Sequence, residues 1–309
     1  MTLGGAALGS GLNLMFNGLA AMGRLHPASR PSAHGLRRIT NVPYTGTGSR
    51  AHLLDVVRPD DGQTGLPVVL YLHGGAFRIL SKDTHYVASL MFGTRGAVVF
   101  NANYRLAPKH PFPAAIEDAA EALHWVVAHA AEYGGDAGRL VLAGESAGAN
   151  LATALTVAAC FDIDDPISQR LHAATIVPRV LLPAMGFLQV SDPERFQRRK
   201  QLPWALRNRI LDAGTGYNPC GTSHPLCDPL LVYESDTQPN RPLPPMFAAA
   251  AIRDPILDDT RRLHAAAKRR GLDAEIAYGD GPHAFHFLLW RKDARAMWTR
   301  MLDFAQSRW

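Results

Sequence analysis

The pentapeptide Gly144-Glu145-Ser146-Ala147-Gly148 fits G-x-S-x-G, a pattern that holds a serine on a sharp, strained turn with its hydroxyl clear of the chain. Small flanking residues are needed there because the backbone crowds a neighbouring strand and helix. A serine hydroxyl is a weak nucleophile until a base takes its proton, and the negative charge that follows on a substrate oxygen needs donors already aimed at it. His73-Gly74-Gly75-Ala76 is a loop of the H-G-G-G type, whose glycines let backbone N–H groups approach an oxyanion without obstruction. Gly74, Gly75 and Ala147 are the expected donors, and Ala76, at the third glycine position, is expected to narrow the pocket. For the base, the chain order nucleophile, acid, histidine restricts the thirteen histidines to those beyond Ser146. Asp254, after the apolar run Met246 to Ala251, and His283, after Gly279-Asp280-Gly281-Pro282, satisfy that order. His286 is the nearest rival base but lies deeper in an apolar stretch and reads as a core or surface residue. Asp258 and Asp259 read as first-turn helix acids that suit the helix dipole.

By chance the pentapeptide should occur in about one chain in ten of this length, so its setting has to decide. Short apolar runs alternate with segments of helical period, the sequence form of a mostly parallel sheet with helices on both faces. Strands are expected at Leu53 to Val57, Val68 to Leu72, Ala97 to Asn101, Leu140 to Ala143, Ala174 to Leu182, Met246 to Ala250 and Ala274 to Tyr278. Helices are expected at Ala114 to Ala131, Asn150 to Ala159, Leu257 to Arg270 and Asp293 to Gln306. Ser146 then sits at a strand-to-helix turn, while His73, Asp254 and His283 follow strand ends, where an open α/β sheet collects its ligand groups. The rhythm fails between Ala184 and Pro219, where Asp192-Pro193 and Pro203-Trp204 open two helical stretches and Gly214 and Gly216 close the second. This reads as a lid. The division expected is a catalytic domain over 45–309, with 1–44 and 184–219 as cap segments of the same unit.

Of the 309 residues 47% are hydrophobic and 19% charged, a composition that buries a large core and excludes a disordered chain. The formal charge of +5 comes from short basic clusters, Arg198-Arg199-Lys200 and Lys268-Arg269-Arg270, with acids close by; they read as solvated faces rather than a nucleic-acid surface. Three cysteines, Cys160, Cys220 and Cys227, are too few and odd in number for a disulfide scaffold and fit the reducing cytoplasm. Cys220, His224, Cys227 and Asp228 match no zinc spacing, so no metal is expected. Residues 1–22 are apolar and Gly-rich but carry no Lys or Arg, unlike a signal peptide, and make a poor membrane span. They read as an amphipathic segment lying over the domain, without stable membrane insertion.

With these residues placed, the chain resembles the hormone-sensitive-lipase-like bacterial esterases of the α/β-hydrolase fold, over roughly residues 50–305. The resemblance rests on His73-Gly74-Gly75-Ala76-Phe77, on Tyr104-Arg105-Leu106-Ala107-Pro108 followed by His110-Pro111-Phe112-Pro113-Ala114-Ala115, on the serine pentapeptide, on Asp254-Pro255-Ile256-Leu257-Asp258 and on His283-Ala284-Phe285. It implies a triad of Ser146, Asp254 and His283, an oxyanion hole of Gly74, Gly75 and Ala147, and a structural turn at Tyr104 to Pro108. The sequence departs from the pattern at Glu145, where many members have Asp, at Ala284, where glycine is usual, and at Ala251-Ile252-Arg253, which lacks the expected glycine.

The activity implied is carboxylic ester hydrolysis of short- to medium-chain acyl esters through an acyl-enzyme, with no cofactor. Phe77, Met185, Phe187, Leu188, Trp204 and Phe285 are candidates to line the pocket, and each also reads as core or cap packing. Amide hydrolysis on the same triad, a non-catalytic receptor for a small molecule, and an interfacial lipase using the apolar N-terminus are the other readings. A homodimer is compatible with the fold, in which dimers are common.

Overall fold

The computed structural model describes residue 18 and residues 26–199 and 201–309. Its centre is an eight-stranded sheet: β1 (Leu36–Pro43), β2 (Leu53–Pro59), β3 (Leu66–Leu72), β4 (Val98–Ala102), β5 (Gly135–Glu145), β6 (Val180–Ala184), β7 (Met246–Ala251) and β8 (Ala274–Gly279). The spatial order is β1-β2-β4-β3-β5-β6-β7-β8. β1 and β2 pair antiparallel, as do β2 and β4, and every other pairing is parallel.

Burial follows the side-chain alternation of the strands. Every residue of β3, β4, β6 and β7 is buried, as expected of strands covered on both faces, whereas the edge strands β1 and β8 mix buried and exposed positions. Val68, Leu70 and Leu72 of β3 point to one face and pack with Phe100, Leu142 and the helices Ala114–His129 and Ala147–Cys160. Val69 and Tyr71 point to the other, with Val99, Val141 and Phe247 under the helices Tyr86–Gly93 and Lys292–Gln306.

The structure departs from the sequence reading in four places. The sheet begins at Leu36, inside the segment taken as cap; Arg37, Arg38, Thr40 and Asn41 break the apolar alternation that would have marked this edge strand. β5 starts five residues earlier than expected, its first half paired to Leu66 and Pro67 through a register shift and disguised by Asp136, Gly138 and Arg139. Residues 174–179 are not strand, because the preceding helix runs to Ala173 and β6 opens only at Val180. Gly214 and Gly216 lie within the helix Trp204–Tyr217 rather than closing it. A Cβ on Gly214 would stand 2.8 Å from the Pro193 ring, so the small residue lets that helix pack against the chain entering the insertion. The two helical stretches expected between β6 and β7 are present, as Arg195–Arg199 and Trp204–Tyr217. The reading of residues 1–22 falls outside the described residues apart from Gly18, and among the described residues no helix is long and apolar enough to cross a membrane.

Candidate active site

Ser146 is the single residue between β5 and the helix that begins at Ala147, and its backbone adopts φ 55° and ψ −113°. That conformation costs a non-glycine residue about 1–3 kcal/mol and persists only where the surroundings enforce it. They do so by proximity. A Cβ on Gly148 would lie 2.0 Å from the Leu72 carbonyl oxygen, and one on Gly144 would lie 2.4 Å from the Gly148 carbonyl carbon. The Ser146 N–H donates to Ala184 O at 2.9 Å, and its carbonyl accepts from Asn150 N at 3.1 Å and Phe187 N at 3.3 Å.

The sheet register brings the acid and the histidine together. Ala251 at the end of β7 pairs with Gly279 at the end of β8, so the loops leaving these two strands start side by side. Ile252 N–H donates to Gly279 O at 3.0 Å and Arg253 N–H to Gly281 O at 3.2 Å, which carries the pairing past the strand ends. Asp254 and His283 meet beyond them, His283 Nδ1 lying 2.8 Å from Asp254 Oδ2. The other carboxylate oxygen, Oδ1, accepts from Ile256 N–H at 2.9 Å. Asp254 is 6% exposed, whereas a third of the His283 side chain reaches solvent. Ala284 follows at φ 59°, a left-handed conformation that accounts for the glycine expected there, and its N–H reaches Met185 Sδ at 3.2 Å.

The loop after β3 is built for close approach. Gly75 has φ 117° and a Cβ on it would stand 2.1 Å from Ile79 O; one on Gly74 would stand 1.8 Å from Glu145 Oε2. His73 stacks on Tyr104, with ring centroids 4.3 Å apart, and the Tyr104 hydroxyl donates to His73 O at 2.7 Å. The Gly74 N–H donates to His85 Nε2 at 3.2 Å, so in this structure it is engaged. Ala147, the first residue of its helix, has an N–H with no intrahelical acceptor.

Glu145, adjacent to the serine, is 3% exposed and touches two histidines. Its Oε1 is 3.1 Å from His283 Nε2 and its Oε2 is 3.3 Å from His85 Nε2. Burial pushes the Glu145 carboxyl up, but His283 and then His85 outweigh it and hold the group well below the usual carboxylate range. Burial alone would lower His283; Asp254 and then Glu145 reverse the sign and raise it well above 6.5. His73 and His286 are pushed down to about 3, chiefly by burial, and stay neutral at physiological pH. The rival base His286 is 1% exposed, and its carbonyl accepts the Trp298 indole N–H at 2.8 Å, a core position.

A family model described as alpha/beta hydrolase fold matches residues 69–287, from β3 to just past His283. An esterase from the bacterial hormone-sensitive lipase family superposes at TM-score 0.70 and 25% identity, over 89% of this chain and 85% of that one. The chain belongs to the hormone-sensitive-lipase-like family of the α/β-hydrolase fold. This hydrolase is 34% identical over 249 residues to the carboxylesterase NlhH of Mycobacterium tuberculosis, covering 79% of this chain and 70% of the relative. It is 33% identical over 240 residues to an acetyl-hydrolase of Streptomyces hygroscopicus, covering 76% and 71%. The structure of esterase LipW from Mycobacterium marinum superposes at TM-score 0.76 with 24% identity, over 97% of this chain and 88% of that one, a likeness of fold.

Not all the expected pocket residues gather at the site of this hydrolase. Phe285 is fully buried in the core, its ring filling the space where a Cβ on Gly279 or Gly281 would be. Trp204 is 76% exposed at the start of its helix, facing solvent. Phe77 is buried and stacks on Tyr217 of that helix at 3.7 Å, joining the loop after β3 to the insertion. Met185, Phe187 and Leu188 follow β6 beside Ser146, all buried. The Leu188 and Gln189 N–H groups are held by the Asp259 carboxylate, at 2.8 and 3.2 Å, and Asp259 is ion-paired with the buried Arg195. Asp259 is thus more than a first-turn acid. A cavity of about 310 Å³ opens against Asp254, lined by Phe196, Leu202, Pro203, Leu206 and Ile252 among others and by none of the six expected residues. The sequence reading missed His85 and gave Glu145 no role; two histidines converging on one carboxylate from 60 and 138 residues away leave no local pattern.

Proposed function

We propose that this chain is a serine carboxylesterase that cleaves short- to medium-chain acyl esters through an acyl-enzyme on Ser146, with His283 as general base and Asp254 as the acid that orients it. One observation carries the reading. A serine held at φ 55° by glycine contacts stands next in the chain to a carboxylate that touches Nε2 of a histidine whose Nδ1 is hydrogen-bonded to a buried aspartate. The names of the relatives, a carboxylesterase and an acetyl-hydrolase, support the same class of chemistry.

In the first half-reaction the Ser146 Oγ forms a bond to the ester carbonyl carbon while its proton passes to His283 Nε2 and the carbonyl electrons move onto oxygen. Gly75 and Ala147 supply backbone donors to that oxygen, joined by Gly74 once its N–H leaves His85. Collapse of the tetrahedral species expels the alcohol, which takes the proton from His283. Water then repeats the sequence on the acyl-enzyme and releases the acid. Asp254 keeps the proton on Nδ1, so that Nε2 presents its lone pair to the hydroxyl.

The test is turnover of p-nitrophenyl esters of increasing acyl length by the wild type, Ser146→Ala and His283→Ala, with matched anilides alongside. A maximum at short chains with a loss of about 10⁴-fold or more in both variants is expected. A maximum on the anilides would make the protein an amidase, and His283→Ala at wild-type rate would remove it as the base.

A further inference from the structure

Glu145 poses a problem of charge. A carboxylate taken out of water costs several kcal/mol unless a cation or several donors meet it. The groups facing Glu145 come from every side of the site. Tyr71 comes from β3, His73 and Tyr104 from the loops after β3 and β4, His85 from the segment before the Tyr86–Gly93 helix, and His283 and His286 from the chain after β8. The tyrosines are protonated and uncharged, and His73 and His286 are neutral. His85 Nε2 is shared, accepting the Gly74 N–H at 3.2 Å while lying 3.3 Å from Glu145 Oε2. Of the two histidines in contact with the carboxylate, His283 is the nearer, at 3.1 Å, and it is also paired with Asp254, so its imidazolium is the principal positive charge that matches Glu145.

We propose that Glu145 is a positioning residue acting through His283: a second carboxylate that stabilises the imidazolium from the Nε2 side, as Asp254 does from Nδ1. The inference rests on the reading of His283 as the base. When Ser146 gives up its proton, the ring gains a charge, and Glu145 lies close enough to favour that state by Coulomb attraction. In the neutral ring the Nε2 lone pair faces an anion, a repulsive contact relieved by turning toward the neighbouring serine hydroxyl.

The experiment compares the pH dependence of kcat/KM for a p-nitrophenyl ester in the wild type, Glu145→Gln, Glu145→Asp and His283→Ala. With the carboxylate neutralised, the acid limb of the profile moves to lower pH by about one unit and the plateau falls about tenfold or more. Glu145→Asp keeps the charge at a longer distance and moves the limb the same way by less; should Glu145→Gln fail to fold, this variant decides alone. A limb coincident with the wild type's in the folded variants overturns the proposal whatever happens to the rate, because a group that only buttresses the turn has no reason to shift a titration. If His283→Ala is inactive while the limbs coincide, the proposal alone fails. If His283→Ala turns over normally, the base reading fails and takes the proposal with it.

Discussion

Gly148 faces Leu72 so closely that a methyl group on it would stand 2.0 Å from the Leu72 carbonyl oxygen and 2.6 Å from that of His73. The obstacle is backbone on both counts, so no side-chain rotation relieves it. Gly148→Ala is expected to cost about 3 kcal/mol in urea denaturation and to lower kcat, because the helix carrying the Ala147 N–H must move away from β3. A variant with wild-type stability would show that the contact relaxes freely.

Two alanines occupy left-handed backbone where the family pattern has glycine: Ala76 at φ 56° and Ala284 at φ 59°. An L-residue with a Cβ costs about 1–2 kcal/mol in that region, partly offset by the chain entropy that glycine adds to the unfolded state. Ala76→Gly and Ala284→Gly are each expected to raise unfolding free energy by about 0.5–1 kcal/mol. The double variant should be near additive, provided the two loops do not share partners. Calorimetry on the three variants checks it; a fall in the melting temperature of either single variant would contradict the strain argument.

The pH dependence has opposite signs for rate and stability. His283 has a folded-state pKa raised well above 6.5, so its contribution to stability is complete below pH 6.5 and is lost as pH rises through the raised value. Glu145 is held below its ordinary 4.5, so its contribution is present above that pH and is lost as pH falls through its folded value. A general base works only when neutral, so kcat/KM should climb at pH values above 6.5, in the window where the denaturation midpoint falls. A rate limb below 6.5 would show that the carboxylates do not govern the histidine.

Arg195 and Asp259 form a buried ion pair that also fixes the Leu188 and Gln189 N–H groups, two and three residues past Gly186 in the segment beside Ser146. Arg195→Ala leaves the buried Asp259 charge with only Arg262, 4.0 Å away, and about 3 kcal/mol of destabilisation is expected. Replacing both, as Arg195→Met with Asp259→Leu, removes the charge but frees the two N–H groups. This double variant should recover stability only in part and, with the chain beside Ser146 loosened, raise KM, as equilibrium unfolding and steady-state kinetics would report.

The turn at Ser146, the glycine loop after β3 and the strand ends that lead to Asp254 and His283 were legible because their constraints are local. Gly144, Gly148 and Gly75 are required by close backbone contacts that also leave a motif, and Asp254 and His283 follow apolar runs that read as strands. β1 was hidden because an edge strand with one solvated side carries Arg and Thr among its apolar residues. The Glu145 contacts and the Arg195–Asp259 pair were illegible for a different reason. Each joins side chains 60 or more residues apart, through a fold that had to be known first. For Trp204 and Phe285 the sequence left pocket lining and core or cap packing open, because an aromatic residue carries no mark of which way its helix or loop will turn; the structure places Phe285 in the core and Trp204 in solvent.

β8 is one of the two edge strands of the sheet, paired on one side only, and it leads directly to the loop bearing His283, whereas Ser146 hangs from central β5. Strand edges open at lower free energy than sheet centres. With Ser146 and His283 in their proposed roles, the machinery is divided between a central and an edge strand of one scaffold, and heating is expected to silence turnover reversibly before the core melts. On the proposed assignment, the working lifetime of the enzyme is expected to follow how long one peripheral strand stays zipped to β7.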